Sequence, residues 1–216
     1  MRIQHVKRNI VIAAVAAAAL VAGGCSSDDD SDGTSGMDMG SDSSESTTTS
    51  AETSEIPSDA EFNQADVDFA QGMIPHHAQA IEMADMAIAQ SDSAEVTDLA
   101  ERIRAAQDPE IEQLTTWLED WGQDVPDREM SMDHDMGDMS MDGMMTQDQM
   151  GEMAAATGAE FDRMFLEMMI VHHEGAVSMA EDEVANGKYE PAIEMAQSII
   201  DGQSAEIDEM NQLLQS

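Results

Sequence analysis

One cysteine, Cys25, stands in the 216 residues. A lone cysteine excludes a disulfide within the chain and any cluster of thiolates around a metal. Positive charge is nearly as scarce, with 8 Lys and Arg against 46 Asp and Glu for a net charge of −38. Beyond residue 24 the basic side chains are Arg102, Arg104, Arg128, Arg163 and Lys188 alone. A surface of that sign repels phosphate backbones, so nucleic acid is excluded as a partner. The acidic excess fits either an affinity for cations or solvation in salty surroundings, and charge by itself does not choose between them.

The two ends of the chain differ in kind. Residues 1–24, "MRIQHVKRNIVIAAVAAAALVAGG", join a basic start to an apolar run that leads straight into Cys25, the pattern of a secretory signal. Ala22-Gly23-Gly24-Cys25 resembles a bacterial lipobox, with Ala where Leu is commoner. The expectation is cleavage, lipidation of Cys25 and anchoring on the extracytoplasmic face of the membrane. A retained N-terminal helix leaves the rest of the chain on the same side. Residues 25–57 are rich in Ser, Thr, Asp and Gly without periodic apolar positions, and read as a disordered acidic stalk.

From residue 58 the chain repeats itself. "MIPHHAQAIEMA" from Met73 returns as "MIVHHEGAVSMA" from Met169, and the offset of 96 holds from Asp66/Asp162 to Leu118/Leu214, through Gln107/Gln203 and Glu110/Glu206. In the first copy Phe62, Phe69, Met73, His76, Ala80, Met83 and Ala87 recur at steps of three, four and seven, the seam of a bundle helix. Ser58 with Glu61 three residues on forms a capping box that starts it, and "QSDS" at 90–93 ends it and caps a second helix. Val96, Leu99, Ile103, Ile111, Leu114 and Leu118 carry that second stripe to Trp121-Gly122. Residues 58–122 are thus one antiparallel hairpin and 146–216 its copy, the latter opening with a Thr146/Gln149 capping box. Neither hairpin buries its stripe alone, so the expected fold is all-α, a four-helix up-and-down bundle with a pseudo-two-fold axis. Pro75 and Pro109 stand where the second copy has Val171 and Ala205, and predict a kink in the first hairpin.

Between the hairpins, residues 123–145 hold Met130, Met132, Met136, Met139, Met141, Met144 and Met145 around His134. A thioether is a soft, neutral donor and imidazole a borderline one; together they favour Cu(I), with Cu(II) accepted through imidazole and carboxylate. Hard cations do not use sulfur. "MSMDHDM", with Met130, Met132, His134 and Met136, is therefore read as an adaptable auxiliary copper chelator, against the alternative of an oxidation sink.

The histidine pairs are the sharper signal. Successive helical residues point about 100° apart, so His76 faces the seam and His77 flanks it. Met73 lies one turn before both, whereas Met83 is about 10 Å further along and packs or serves another site. A pseudo-dyad pairing the first and third helices would bring Met73, His76, Met169 and His172 into a His2Met2 copper site. Alternatively His77 and His173 form a rim site with Glu174. Methionines at seam positions, Met83 and Met179 among them, are ordinarily core filler. Two adjacent histidine pairs at matching repeat positions are harder to explain without a ligand, because burying four imidazoles unpaired costs stability.

These twin motifs resemble those of domain-of-unknown-function family 305 over about residues 58–216. The resemblance implies a ferritin-like four-helix envelope protein, with some members similar to periplasmic copper-binding proteins. It carries Met73, His76, His77, Met83, Met169, His172, His173 and Met179 over as metal residues, while the Met-rich insertion is an addition of this chain. Three functions compete. One is a copper-binding lipoprotein that buffers, sequesters or delivers the ion, without turnover, to a transfer partner or within a homo-oligomer. Another is a ferritin-like metal oxidase. The Glu-x-x-His pair of a di-iron site is missing, since Met73, Ile74, Met169 and Ile170 stand three before the histidines, but cuprous oxidase chemistry stays open. The third is an acidic interaction module with a structural metal.

Overall fold

The computed structural model describes residues 56–128 and 143–216, all within one compact unit. The signal, Cys25, nearly all of the stalk, and Met130, Met132, His134 and Met136 lie outside the described residues. Five helices follow in order: α1 (Gln64–Gln90), α2 (Ala94–Trp121), the short α3 (Gln147–Ala155), α4 (Ala159–Asn186) and α5 (Glu190–Leu213), with no strand among the described residues. The four long helices make the expected bundle of two hairpins, α1–α2 and α4–α5. Among the described residues no helix is long and apolar enough to cross a membrane.

Each turn is written in local chemistry. Ser93 caps α2 by accepting from the Val96 amide, and Gly122 ends it in the left-handed region at φ 66°, where a side chain would be strained. The expected stripe of α2, from Val96 to Leu118, is buried throughout. Both α1 and α2 continue through Pro75 and Pro109. Each proline still removes one N–H from its helical ladder.

Two helix starts differ from expectation. α1 is capped by Asn63 with Asp66, and the Ser58–Glu61 stretch forms turns before it. The competing box wins because Asp66 also has tertiary partners: its Oδ1 accepts the Lys188 and Tyr189 amides at 3.0 and 2.8 Å. Thr146 and Gln149 do form their capping box, but that helix stops at Ala155. Gly158, at φ 59°, turns the chain into α4 as a separate helix.

The hairpins meet chiefly through α1 and α4, which run antiparallel. Ser91 Oγ donates to Asp162 Oδ1 at 2.6 Å at one end, and Asn63 Nδ2 to the Asn186 carbonyl at 2.9 Å at the other. Two apolar clusters result. One gathers Met83, Leu99, Ile103, Phe161, Phe165 and Met169; the other gathers Val67, Phe69, Met73, Ile111, Leu114 and Ile199. Each fully buried large side chain contributes roughly 1.5–3 kcal/mol relative to exposure. Beyond the second cluster, Phe62 stacks on Trp121 at 4.6 Å and Tyr189 sets its ring edge-on to Trp117 and Trp121, tying the second hairpin's turn to the first hairpin.

Candidate metal centre

The four histidines of the twin pairs are buried, none more than 1 % exposed. The 100° step between neighbours sends them to different interfaces. His76 and His172 face each other between α1 and α4, with ring centroids 3.8 Å apart and planes at 45°. His77 turns to α2, where its Nε2 lies 2.8 Å from Glu110 Oε2, and His173 makes the same 2.8 Å contact with Glu206 on α5. They are not rim residues. Glu174, the expected third member of a rim site, is exposed because it points away from both interfaces.

Burial first, and then the neighbouring His76, His173 and His77 rings, push the His172 pKa well below its ordinary value. The ring is therefore a neutral imidazole, the form that ligates metals. Neither His172 nitrogen has a hydrogen-bond partner, and the Nδ1 atoms of His77 and His173 have none either. A carboxylate oxygen only accepts, so Nε2 of His77 and of His173 donates to it, and in the neutral ring Nδ1 is the nitrogen that holds the lone pair. Gln107 and Gln203, one turn before the glutamates and also buried, add further unpaired polar atoms. The repeat offset matched Gln107/Gln203 and Glu110/Glu206 in the sequence, but their approach to the histidines is a product of hairpin packing.

The methionines divide by side. Met73 and Met169 are fully buried but belong to different clusters, Met73 with Ala176 and Ala180, Met169 with Ala80 and Met83. In an antiparallel pair the turn preceding each histidine runs in opposite directions, which separates the two by about 9 Å of helical rise. Met179, half-buried, packs on the Met73 cluster, its Sδ against Gly72. The histidine layer thus has Met73 and Met179 on one side and Met83 and Met169 on the other.

Among the described residues no three His, Cys, Asp or Glu side chains converge as a metal set. A hard-ligand cage is therefore not preformed. What the layer offers is imidazole nitrogen, with the neutral His172 ring free of hydrogen-bond partners, flanked by thioethers, a donor set suited to copper and other soft ions.

An all-α bundle of two duplicated hairpins, with a buried histidine layer at their interface and thioethers beside it, defines a class of small helical-bundle proteins. The chain belongs to the DUF305 family, a domain of unknown function, whose model matches residues 66–214. A search of curated proteins finds no match. Solved structures do resemble it. A DUF305 protein from Streptomyces coelicolor is 31% identical, with a TM-score of 0.62, covering 69% of this chain and 90% of that one. A DUF305 fragment from Deinococcus radiodurans is 29% identical, also at 0.62, covering 70% and 96%. CopM in its Cu(II)-bound form is 36% identical with a TM-score of 0.59, covering 69% of this chain and 95% of that one, and CopM has also been solved with Cu(I) and with silver.

Proposed function

We propose that this chain is a copper-binding protein of the cell envelope, anchored by lipid at Cys25, which buffers, sequesters or hands on copper without turnover. The observation that carries the reading is the face-to-face His76–His172 pair, buried between the hairpins, with the neutral His172 imidazole flanked by thioethers on both sides. Such a set accepts Cu(I) through sulfur and nitrogen, and Cu(II) through nitrogen with a nearby carboxylate. Copper is cargo here rather than a resident cofactor. His76 and His172 are the central ligands in this reading, with Met73 and Met169 reaching them from opposite sides of the layer and not converging as expected; His77 and His173 enter through Nδ1, and Met83 and Met179 extend the soft lining. The Met130–Met136 tract collects the ion from outside. The copper and silver forms of CopM support the choice of metal.

Anaerobic Cu(I) titration against a chromophoric chelator, beside Zn(II) and Fe(II), tests it. Tight Cu(I) binding that disappears in His76→Ala/His172→Ala is the expected result. Binding indifferent to that double substitution, with the bundle still folded, removes the histidine layer from the function.

A further inference from the structure

A cleft lies against the outer face of α1, lined by none of the four paired histidines. It has a volume of about 970 Å³, and its walls include Met86, Met144 and Met150 together with Gln79, Glu82 and Asp85. The strand of chain that forms its far wall is held at backbone level. Gly143 sits at φ 86°, and a Cβ there would come 2.6 Å from the Val171 carbonyl oxygen, 3.0 Å from Gly175 Cα and 3.1 Å from the His172 carbonyl oxygen. Only glycine fits such a seat. Two residues on, Gln79 Nε2 donates to the Met145 carbonyl at 2.8 Å and the Met145 amide donates to Gln79 Oε1 at 2.7 Å. Thr146 then starts α3, which places Met150.

Of the three thioethers, Met150 belongs to the first apolar cluster and Met86 packs against it, and both, with Met144, also line the cleft. Met86 and Met144 are half-buried on an open cleft, where Leu would bury as much surface, and the charged side chains on its wall are Glu82, Arg128 and Asp85, the last paired with Arg104. Sulfur without imidazole or thiolate discriminates strongly: it offers little to Zn(II) or Cu(II) and suits soft monovalent ions. We propose that Met86, Met144 and Met150 form a separate all-thioether site for Cu(I) or Ag(I). The Gly143 seat on the His172 carbonyl and the Gln79 pair one turn beyond His76 fix this site beside the histidine layer. It stands on the cleft and is independent of whether the histidines bind copper.

Ag(I), which is redox-inert, is the probe, read by ¹³C-methyl methionine spectra of the whole protein. On titration the Met86, Met144 and Met150 methyl resonances are expected to move together. They should do so equally in His76→Ala/His172→Ala, and Zn(II) should leave them unmoved. Met86→Leu/Met144→Leu/Met150→Leu, close in volume to the native cleft, should lose one Ag(I) equivalent. If the three methyls stay unmoved at saturating Ag(I), or the folded triple variant keeps the native stoichiometry, the site does not exist. Should the triple variant misfold, the spectra of the native protein decide. Loss of histidine-dependent Cu(I) binding with the methyl shifts intact would overturn only the reading of the histidine layer.

Discussion

His173 donates through Nε2 to Glu206 Oε2 at 2.8 Å, and its repeat mate His77 does the same to Glu110 at the same distance. Each contact joins the two helices of one hairpin, so each hairpin orients its own outer imidazole before the halves meet. A carboxylate behind a ligating histidine fixes the tautomer and raises the basicity of the other nitrogen. The duplication supplies that arrangement twice.

Replacing both carboxylates, Glu110→Gln/Glu206→Gln, keeps the shape and lets the amide donate as well as accept. Copper affinity is expected to fall about 10- to 100-fold. Nitrogen-15 spectra of the rings should show His77 and His173 losing their single Nε2–H tautomer. Native tautomers combined with unchanged affinity would show that the glutamates only close the bundle.

Glu183 makes a pH prediction. Burial first, then a hydrogen bond to Asp66 and the charge of Asp66, push its pKa up from 4.5 to about 8. The folded protein keeps this proton where the unfolded chain has released it, so the stabilisation is full below about 4.5 and is lost as pH rises through about 8. The Tm of the native protein minus that of Glu183→Gln should fall between pH 5 and 8 and level off above 9. Parallel curves would place the ordinary carboxyl value on Glu183.

Asp66 holds the junction between hairpins through the Asn63, Lys188 and Tyr189 amides. Asp66→Ala strands these donors, and the expected loss is about 2–4 kcal/mol by denaturant unfolding. Asp162, its repeat mate, accepts from the Ser91 hydroxyl. Asp162→Ala should cost about 1 kcal/mol. Equal losses at the two positions would show that the tertiary amides contribute nothing.

Gly143→Ala introduces a Cβ against the Val171 carbonyl at a backbone angle that favours glycine. The Met145 amide should exchange with solvent faster by tenfold or more, about 1.4 kcal/mol of local opening, while the global Tm barely moves. A large fall in Tm instead would make this seat part of the bundle core.

Much of this was legible in the chain. The 96-residue offset and the Val96–Leu118 stripe gave the hairpins, because amphipathic periodicity is set by local spacing. The start of α1 was not, since Ser58 and Asn63 both open plausible capping boxes and the choice lies with amides more than a hundred residues away. The end of α3 depended on Gly158, a single residue between two stretches that both form helix. At the candidate metal centre, the repeat put His76 and His172 at equivalent seam positions but left the His77/His173 alternative open, and it is the packing that sets the first pair face to face. The separation of Met73 from Met169 followed only from the antiparallel sense of α1 and α4, which spacing along one helix does not encode.

The seat of Met145 and Gly143 breaks the symmetry of the repeat, for Gln79 and Gly175 occupy equivalent positions. Gln79 grips the Met145 backbone, while Gly175 lies close beneath Gly143. In a dimer of identical hairpins one codon would specify both places, and neither residue could do the other's job. Only after two copies became one reading frame was each free to specialise, and the wall of a thioether cleft is what that freedom made possible.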